Sequence, residues 1–545
     1  MSNIVVTGFM ATGKTSVGRE VARRLGRPFV DMDVEIEARA GKPIPRIFAE
    51  DGEAAFRQME AALCEKLSAQ EGLVIATGGG TLVNPANRTR MMGSGTVICL
   101  SCDVDEILRR VDVDGQAARP LLDVAECRAQ IERLLAARRE AYQAIPWQID
   151  TTGPSVQEVA AWVVEIAKAI TLPRIPIRVR YPGGHYDIHV GDGLLAHVGG
   201  ALRAVGVPGG GRVAVVSNPV VALLYRERVE AALRSAGLQP FACTIPEGEQ
   251  HKTLVTVAAL YEQFLAAGLD RSGTVLSLGG GVTGDVAGFA AATFMRGVRF
   301  VQVPTTLLAM VDASVGGKTG VDLPQGKNLV GAFKQPALVL VDPTVLVTLP
   351  VGAIRSGLAE VIKHAIISDP DLFADLEAAG SELGCGSSAP SWWEEDGAAR
   401  IARALRVKVQ IVEEDPFEQG RRAVLNLGHT AGHALEKLSD FSLHHGEAVG
   451  IGMVAAARIA GELGRADARL ADRIEAVLSN WGLPVRCPPF DAGAIWKAMA
   501  HDKKRRGRSL RWVLPRAIGE VEIVEDIPPG VVKSVLQNMG ARSDQ

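Results

Sequence analysis

Two parts of the chain alternate short apolar runs with longer amphipathic stretches. The first part contains NIVVTG, FVDMD, LVIATGGG and TVICLS, and the second contains RVAVVSN, FACTIPE, TVLSLGGG, FVQVPTT and ALVLVD. Segments of helical periodicity separate these runs, which is the strand–helix alternation of a parallel sheet. The pattern therefore predicts two α/β regions.

The spacing of the runs also predicts where the chain divides. Pro173 and Pro176 interrupt the pattern after the amphipathic stretch VQEVAAWVVEIAKAI. From about Leu349 to Asn480, helical periodicity replaces the apolar runs. A chain of 545 residues exceeds what one hydrophobic core organises. We predict an α/β domain at 1–170, a linker at 171–176, a second α/β domain at 177–345 and a mainly helical domain at 346–545.

The composition narrows the class of protein only slightly. Hydrophobic residues make up 47% and charged residues 22%, and the net charge is −3, so we expect neither nucleic-acid nor membrane partners. No apolar run reaches the ~18 residues of a membrane span, and no signal segment is recognisable. Cys99 and Cys102 lie in a strand-like stretch that points them to opposite faces. We therefore expect a reduced, cytoplasmic protein.

The first candidate for chemistry is the stretch GFMATGKT, which has the spacing G-x-x-x-x-G-K-[ST]. It follows a predicted strand and precedes a predicted helix, as this phosphate-binding motif requires. Its glycines let backbone N–H groups surround phosphates, and the helix N-terminus adds positive potential. We predict that Lys14 reaches the β- and γ-phosphates of ATP and that Thr15 holds Mg²⁺. The predicted ATP-binding residues of the loop are Gly8, Ala11, Thr12, Gly13, Lys14, Thr15 and Ser16.

Five further motifs resemble those of shikimate kinases, in the same order: DMD, GEAAFRQME, TGGG, RPLL and RREAY. The resemblance covers about residues 1–170 and implies ATP-dependent phosphorylation of shikimate. It implies that Asp33 orients the attacking hydroxyl, that Asp31 lies on the Mg²⁺ side and that Arg119 neutralises the transferring phosphoryl group. Arg110 is expected against the adenine. The implied shikimate ligands are Asp33, Arg57, Gly79, Gly80 and Arg138. A gluconate-kinase-like enzyme is the alternative, but it does not account for DMD, GEAAFR and GGG together.

The second α/β region carries a weaker nucleotide signal. Gly279, Gly281 and Gly284 form G-x-G-x-x-G between a predicted strand and a predicted helix. A Rossmann domain places an acidic residue at the end of the next strand, whereas here that strand ends VPTT. The glycines and the helix start still suit a pyrophosphate, with Asp285 expected near the N-cap.

A longer series of motifs resembles 3-dehydroquinate synthases over about residues 175–540. The motifs are PEGEQHKTL, GGGVTGDVAGF, MRGVRFVQVPTTLLAMVDASVGGKTGVD, GKNLVGAF, GLAEVIKHA, LNLGHTAGHALE and HHGEAVGIGM. The resemblance implies cyclisation of 3-deoxy-D-arabino-heptulosonate 7-phosphate with NAD and zinc or cobalt. The substrate is oxidised at C5, loses phosphate, is reduced again and closes by an aldol step, so NAD is regenerated. The implied NAD contacts are Glu249, Lys252, Gly280, Gly281, Val282, Asp285, Thr305, Thr306, Lys327 and Asn328.

Six residues are candidate metal ligands by type: Glu360, His364, His429, His433, His444 and His445. A catalytic metal needs three protein ligands and an open position. Spacing alone leaves several sets open, because Glu360 with His364, and His429 with His433, each share a helix face. The resemblance implies Glu360, His429 and a loop-borne His445 as ligands. It places His433 on the substrate side and His364 in neither role.

The remaining implied residues bind a substrate that carries a phosphate and a carboxylate. They are Arg296, Asp312, Lys318, Asn328, Lys363, Lys408, Arg422, Asn426, His433 and Lys503, with Lys504 as the alternative to Lys503. Lys318, Lys363 and His433 are the implied catalytic residues. The resemblance also implies a homodimer in which Arg296 reaches across. The basic run that begins at Lys503 is otherwise a solvated face.

Together the motifs predict an α/β fold class. We expect a P-loop kinase domain with a parallel sheet and flanking helices, then a Rossmann-like NAD domain and a mainly helical metal-binding domain. The expected function is a bifunctional shikimate-pathway enzyme acting on ATP, shikimate and the heptulosonate 7-phosphate. The alternatives are a related sugar-phosphate cyclase in the C-terminal half, or one half that is a non-catalytic module.

Overall fold

The computed structural model describes residues 2–113, 127–145, 147–382, 396–440, 442–504 and 510–543, without the side chains of 112–113, 381–382 and 500–504. Its strands are β1 (Asn3–Gly8), β2 (Phe29–Asp31), β3 (Val74–Ala76), β4 (Gly95–Ser101), β5 (Trp147–Asp150), β6 (Ile175–Tyr181), β7 (Gly184–Val190), β8 (Arg212–Ser217), β9 (Gln239–Thr244), β10 (Thr274–Gly279), β11 (Arg299–Pro304), β12 (Lys318–Leu323), β13 (Gly326–Phe333), β14 (Leu338–Val341), β15 (Arg511–Ala517) and β16 (Glu520–Glu525).

The helices begin and end as follows. They are α1 (Lys14–Leu25), α2 (Met32–Ala40), α3 (Ile44–Glu50), α4 (Gly52–Ser68), α5 (Pro85–Ser94), α6 (Val104–Val113), α7 (Cys127–Gln143), α8 (Val156–Thr171), α9 (Val198–Ala204), α10 (Pro219–Val221), α11 (Glu227–Ser235), α12 (Leu254–Ala266), α13 (Gly281–Thr293), α14 (Val351–Ser368), α15 (Pro370–Glu382), α16 (Gly397–Glu414), α17 (His429–Leu438), α18 (His445–Glu462), α19 (Ala468–Asn480), α20 (Ala492–Lys504) and α21 (Pro529–Asn538). Within the described ranges, none of them is long and apolar enough to cross a membrane.

These elements form two compact units. The first comprises Met1–Leu172 together with Leu195–Val213 and Glu227–Phe241, and the second comprises the remaining segments. The predicted linker at 171–176 falls where α8 ends at Thr171 and β6 begins at Ile175.

The first unit is built on a five-stranded parallel sheet of order β2-β3-β1-β4-β5. Alternate residues of its central strand enter two separate cores. Val5 packs with α4, α6 and α7, whereas Ile4 and Val6 pack with α1 and α8. This follows from the period of two along a strand, and it explains why NIVVTG is apolar at successive positions. The predicted parallel α/β kinase fold is confirmed.

A second sheet has seven strands in the order β6-β7-β14-β11-β10-β8-β9. Strands β14, β11 and β10 are mutually parallel, as predicted. Strand β7, which was not predicted, is parallel to β14, whereas β6 is antiparallel to β7. The β6–β7 hairpin begins at Ile175, within the predicted linker, and continues into the predicted second α/β domain. Its turn is Pro182–Gly183, in which proline fixes φ and Gly183 takes φ 101°.

The rest of the second unit is mainly helical, as predicted. Helix α18 packs between α14, α17 and α19, and its residues from Ala448 to Ala457 are buried. Two antiparallel pairs, β12–β13 and β15–β16, form separate two-stranded sheets that do not join the seven-stranded sheet. Neither pair was among the predicted strands.

Candidate active sites

The phosphate-binding loop joins the central strand β1 to α1. Gly8 has φ 140°, and a Cβ there would lie 2.2 Å from the Leu100 carbonyl oxygen, so this position accepts only glycine. Gly13, with φ 88°, ends the loop immediately before α1. Inside the loop, Thr12 Oγ1 and Lys14 Nζ each donate to the Phe9 carbonyl oxygen at 2.8 Å. The loop is therefore preformed, and the backbone N–H groups at the start of α1 make it electropositive.

Asp31 and Asp33 lie beside this loop but on different elements. Asp31 ends β2 and caps α2, because its Oδ1 accepts from the Asp33 N–H at 3.0 Å. Thr15 Oγ1 donates to the other carboxylate oxygen of Asp31 at 2.6 Å. From sequence, the stretch DMD predicts that both carboxylates lie on the same side of a strand end. Asp33 lies instead in the first turn of α2, so that prediction is wrong. Burial raises the pKa of Asp33 to about 6, with Lys14 opposing the shift and Asp31 adding to it.

Arg57 and the three glycines of TGGG face the same cavity. Arg57 Nη1 pairs with the buried Glu60 carboxylate at 2.7 Å, and Nη2 pairs with Glu53 at 2.9 Å. A Cβ on Gly80 would lie 2.5 Å from Arg57 Nη1, and one on Gly78 would lie 2.7 Å from Asp33 Oδ1. The bare backbone therefore leaves room for both charged groups. The Glu60 side chain, which orients Arg57, is only 1% exposed.

Arg138 and Arg110 also line this cavity. Arg138 Nη1 donates to the Gly79 carbonyl oxygen at 3.3 Å, and Tyr142 Oη donates to the same oxygen at 2.7 Å. Arg110 Nη1 donates to the Ala11 carbonyl oxygen at 3.2 Å, and its Nη2 donates to that of Thr151 at 2.6 Å. Arg110 is thus fixed against the phosphate-binding loop. The predicted lid residue Arg119 lies outside the described residues.

These side chains line one cavity of ≈ 1070 Å³. Its walls include Ala11 to Ser16, Asp33, Arg57, Gly79, Gly80, Arg110 and Arg138. The volume is at the upper end of the ~300–1,000 Å³ that single-ligand pockets occupy. It therefore suits two ligands side by side, one bearing phosphates and one bearing a carboxylate and hydroxyls. Thr151, which sequence reasoning missed, also contributes, with its Oγ1 donating to Thr12 O at 3.2 Å.

In the second unit, the glycine-rich turn joins β10 to α13. Gly280 is the N-cap of α13, and a Cβ there would lie 3.1 Å from Thr306 Cγ2. Gly281 and Val282 begin the helix, so their backbone N–H groups have no partner within it. Asp285 lies in the second turn of α13 rather than near the N-cap, which corrects the prediction. The buried Thr305 hydroxyl has no hydrogen-bond partner among the described residues.

Asp285 belongs to a polar cluster beside this turn, in which Lys252 is buried and Asp285 is partly exposed. Lys252 Nζ lies 2.6 Å from Asp285 Oδ2 and donates to Asn328 Oδ1 at 2.5 Å. Asn328 takes φ 54°, in the left-handed region that asparagine adopts more readily than most residues. Burial raises the pKa of Asp285 to about 6, although Lys252 opposes that shift. Lys327 and Glu249 approach each other at 3.5 Å near the same cluster.

Glu360, His429 and His445 meet at a single point. His429 Nε2 lies 3.8 Å and His445 Nε2 lies 3.6 Å from Glu360 Oε1. The three donor atoms lie within 4.8 Å of one another. Glu360 comes from α14, and the two histidines are the first residues of α17 and α18. His445 therefore begins a helix, and the prediction that it arrives from a loop was wrong.

The second ring nitrogen of each histidine is held by an oxygen. His429 Nδ1 lies 3.1 Å from the Leu427 carbonyl oxygen, and His445 Nδ1 lies 3.3 Å from Glu436 Oε1. These contacts direct both Nε2 atoms toward Glu360, which is the usual arrangement of ligating histidines. Sequence reasoning missed Glu436, although it stands in the quoted motif GHTAGHALE. Burial lowers the pKa of His445, but Glu360 and Glu436 outweigh it and raise that pKa to about 10.

Glu360 is fully buried, and its charge is compensated by its surroundings. Burial acts to raise its pKa, whereas Lys363 and the two histidines lower it well below the ordinary value. Apart from the contact with the Lys363 ammonium, its oxygens have no partner of hydrogen-bonding geometry among the described residues. An anionic oxygen left without donors, facing two imidazole nitrogens, is a donor set that suits a divalent cation.

The other predicted histidines have different surroundings. His433 is exposed, with its ring centroid 5.1 Å from that of His429 and 6.2 Å from that of His445. His433 with Glu436 and His445 forms an alternative donor set. His364 is fully buried, 3.8 Å from Asp312 Oδ1, and burial lowers its pKa to about 4. His444 is the residue before α18, and its N–H donates to Glu447 at 2.9 Å.

Three of the predicted cationic residues are buried. Lys363 contacts Glu360, and Lys408 Nζ pairs with Asp312 Oδ1 at 2.7 Å, both from buried positions. Arg422 is also buried, with Nη1 donating to the Pro416 carbonyl oxygen at 2.8 Å. Burial lowers the pKa values of both Lys408 and Arg422. These cations surround Asp312.

The other predicted substrate residues whose side chains the structure describes lie in more open positions. Lys318 pairs with Glu418, and Asn426 is exposed near the start of α17. Arg296 takes φ 65° in the kink that follows α13. Lys503 is in the last turn of α20, where the side chains are not described. The structure thus brings Lys363 and Lys408 close to the metal-type centre, which consists of Glu360, His429 and His445.

The fold and the two sites define the class of protein. It is a P-loop phosphotransferase joined to a Rossmann-type enzyme with a glycine-rich turn, a Glu–His–His centre and buried cations. The shikimate kinase model matches residues 10–168, and the 3-dehydroquinate synthase N-terminal and C-terminal models match 242–356 and 357–505. The chain belongs to the 3-dehydroquinate synthase family and carries a shikimate kinase domain at its N-terminus, with both activities.

Relatives and solved structures agree with this assignment. The chain is 46% identical over 365 residues to the 3-dehydroquinate synthase of a Synechococcus species, covering 67% of this chain and 98% of that enzyme. It is 47% identical over 341 residues to the enzyme of Pelobacter propionicus, covering 62% and 92%. ValA, the 2-epi-5-epi-valiolone synthase of Streptomyces hygroscopicus, was solved with NAD⁺ and Zn²⁺ bound. It is 30% identical, with a TM-score of 0.59, covering 65% of this chain and 96% of that one.

The identities also bear on the alternative cyclase. The dehydroquinate synthases match at 46–47%, whereas the valiolone synthase matches at 30%. The prediction of a dehydroquinate synthase is therefore confirmed over that of a related sugar-phosphate cyclase. The gluconate-kinase alternative is set aside by the shikimate kinase match.

Proposed function

We propose that the shikimate kinase reaction takes place in the ≈ 1070 Å³ cavity of the first unit. ATP is held there by Gly8, the loop from Ala11 to Ser16, and Arg110. Thr15 and Asp31, joined at 2.6 Å, supply the oxygens of the Mg²⁺ side. This role is supported by the preformed loop and by the fit of both oxygens to a hard cation.

Shikimate is proposed to lie against Asp33, Arg57, Gly79, Gly80 and Arg138. The guanidinium groups of Arg57 and Arg138 suit a carboxylate, which they bind in a planar, bidentate manner. Asp33 accepts the proton of the attacking hydroxyl, and Lys14 with Arg119 stabilises the transferring phosphoryl charge. The raised pKa of Asp33 supports this role, because a stronger base removes a hydroxyl proton more readily.

In the second unit, Glu360, His429 and His445 are proposed to hold Zn²⁺ or Co²⁺. The observation that carries this proposal is the buried Glu360 Oε1, which has no hydrogen-bond partner among the described residues and faces the Nε2 atoms of His429 and His445. The glycine-rich turn, the orphaned Thr305 hydroxyl and the Lys252–Asp285–Asn328 cluster suit the polar groups of NAD. When bound, NAD accepts and returns a hydride, and the metal polarises the substrate oxygen at the oxidised carbon. Glu249, Gly280, Gly281, Val282, Thr306 and Lys327 complete the proposed NAD contacts.

The chain's own side chains are proposed to bind 3-deoxy-D-arabino-heptulosonate 7-phosphate. Lys363, Lys408 and Arg422 place three cations in a buried region, which favours a substrate that carries a phosphate and a carboxylate. Lys318, Lys363 and His433 act on the reacting groups, and release of phosphate gives 3-dehydroquinate. The other proposed contacts are Arg296, Asp312, Asn328, Asn426 and Lys503.

The active form is proposed to be a cytoplasmic homodimer joined through the second unit. Arg296, in its kinked segment beside the half-exposed Met295, is the residue proposed to reach the partner. The free thiols of Cys64, Cys99, Cys102, Cys127, Cys243 and Cys487 support a reducing compartment.

Paired single-site variants of the full chain test these assignments. Lys14→Met is expected to abolish ATP-dependent phosphorylation of shikimate while phosphate release from the heptulosonate 7-phosphate stays intact. His429→Ala is expected to do the reverse. Each variant carries its own folding control, because the other reaction is measured on the same molecules. Loss of both reactions in either variant, or loss of neither, contradicts the assignment of the two sites.

A further inference from the structure

Two side chains of α7 converge on one backbone oxygen of the kinase cavity. Tyr142 and Arg138 are four residues apart and therefore lie on the same helix face. Tyr142 Oη donates to the Gly79 carbonyl oxygen at 2.7 Å, and Arg138 Nη1 donates to it at 3.3 Å. Arg138 is a proposed substrate ligand, whereas no role has been given to Tyr142. Its ring is buried in the core of the first unit.

Gly79 has no side chain that could fix its position, so hydrogen bonds from other residues hold its peptide in place. A Cβ at Gly79 would lie 3.5 Å from both the Gly8 carbonyl oxygen and the Met10 nitrogen. The peptide at Gly79 therefore lies against the phosphate-binding loop. Its neighbours Gly78 and Gly80 leave room for Asp33 and Arg57. The position of this segment therefore sets the geometry of the proposed shikimate site. Of the two side-chain hydrogen bonds that hold the segment, the one from the Tyr142 hydroxyl is the shorter.

The support continues beyond Tyr142. Gln148 Nε2 donates to the Tyr142 carbonyl oxygen at 2.7 Å and to the Ile145 carbonyl oxygen at 2.8 Å. The Gln148 carbonyl oxygen in turn accepts from Arg203 Nη2 at 3.2 Å, and Arg203 Nη1 donates to Val207 O at 2.9 Å. Arg203 is only 5% exposed. It lies in α9, beyond residues 10–168 that the shikimate kinase model matches.

Helix α9 is held firmly within the first unit, so Arg203 has a fixed position. A Cβ on Gly200 would lie 2.6 Å from the Glu165 carbonyl oxygen, which means that α9 and α8 approach as closely as their backbones allow. His197 Nδ1 lies 3.4 Å from Glu165 Oε2 across the same contact. A buried arginine on a rigid helix is a stable end for a hydrogen-bonded support.

We propose that Tyr142 is a positioning residue for the Gly79 segment, and that Arg203 supports it through Gln148, so that a residue outside the kinase match contributes to shikimate affinity. The inference rests on the proposed contact of shikimate with Gly79. It assigns to Tyr142 and Arg203 an effect on the polyhydroxylated carboxylate rather than on ATP, because the phosphate-binding loop has its own internal bonds.

The first test is Tyr142→Phe in the full chain, which removes only the hydroxyl. The KM for shikimate is expected to rise about three- to tenfold, as for loss of one hydrogen bond. The KM for ATP is expected to stay within about twofold, since a hydroxyl away from the loop makes no contact with the nucleotide. Unchanged cyclase activity on the same preparation and the retained KM for ATP show that both units are folded. An unchanged KM for shikimate, or an equal rise for both substrates, overturns the proposal.

The second test addresses Arg203. Arg203→Met is expected to raise the KM for shikimate about two- to threefold, and Arg203→Lys, which keeps one donor, is expected to recover part of that rise. If Arg203 acts through Tyr142, adding Arg203→Met to Tyr142→Phe changes the KM by less than about 1.5-fold. Full multiplication of the two effects overturns the route through Gln148.

Arg57→Ala separates this inference from the proposed shikimate site. A large rise in the KM for shikimate in Arg57→Ala, with none in Tyr142→Phe, leaves the site standing and overturns the positioning role. No rise in either variant overturns both. A rise in both variants, with the KM for ATP retained, supports the proposal.

Discussion

Replacement of His429 by alanine, compared with the same replacement of its neighbour His433, tests how the metal-type centre is divided. The Nε2 atoms of His429 and His445 lie 3.8 and 3.6 Å from Glu360 Oε1. His433 belongs instead to the alternative donor set with Glu436 and His445. The two sets share His445, so only the residues that differ between them discriminate. We expect His429→Ala to weaken Zn²⁺ binding far more than His433→Ala.

The expected magnitudes follow from the ligand count. Binding of Zn²⁺ to four-ligand structural sites contributes about 10–16 kcal/mol, or roughly 2.5–4 kcal/mol per ligand. Loss of His429 should therefore lower Zn²⁺ affinity about 10²- to 10³-fold. Glu436→Gln, which loosens the orientation of His445 without removing a ligand, should lower it about 10- to 100-fold. His433→Ala should change it less than about threefold, because no proposed ligand is removed.

Competition with a chromogenic chelator measures these affinities on zinc-depleted full-length protein. Kinase activity of each preparation, assayed with added Mg²⁺, serves as the folding control. The expected order of affinity is wild type, His433→Ala, Glu436→Gln and then His429→Ala. If His433→Ala weakens binding more than His429→Ala does, the donor set with Glu436 holds the metal and the reasoning from Glu360 is refuted.

Three further predictions concern the rest of the molecule. Lys252→Met removes the cation that pairs with the partly exposed Asp285 and should lower the free energy of unfolding by about 1–3 kcal/mol, measured by urea denaturation; a change below about 0.5 kcal/mol would count against a stabilising pair. Because burial raises the pKa of Asp33 to about 6, the carboxylate is protonated as the pH falls through that value, and kinase kcat/KM for shikimate should fall with it. An acid limb near the ordinary value of 3.8 would contradict this, and Asp33→Asn should lower the rate about 10²- to 10⁴-fold. Dialysis against EDTA should abolish phosphate release by the cyclase, with recovery on adding Zn²⁺, while kinase activity returns with Mg²⁺ alone; cyclase activity that survives metal depletion would argue against a catalytic metal.

The features that depend on short stretches of sequence were accessible without the structure. The phosphate-binding loop follows from Gly8, Gly13 and Lys14 between an apolar run and a helical one, because backbone conformation there is local. The alternation of apolar runs likewise predicts the parallel sheet of the first unit and the parallel strands β10, β11 and β14 of the second sheet, since strands covered on both faces are apolar throughout. The β6–β7 hairpin escaped notice because its strands carry polar residues on one face, and only Pro182–Gly183 marked the turn.

The sequence by itself determined the two α/β regions, the helical region and the residue types available for chemistry. Only the tertiary structure decided which of them meet. Asp33 lies in a helix rather than at a strand end because Asp31 caps α2. Glu436 contacts His445 because α17 and α18 pack side by side. Glu360 reaches the two histidines from a helix far away in the chain, and Arg203 reaches the kinase strand β5 in the same way. Spacing describes neighbours along one helix or strand, whereas contacts between elements depend on packing that no local pattern encodes. The histidine pair four residues apart therefore suggested two ligands, and packing brings only His429 of that pair up to Glu360.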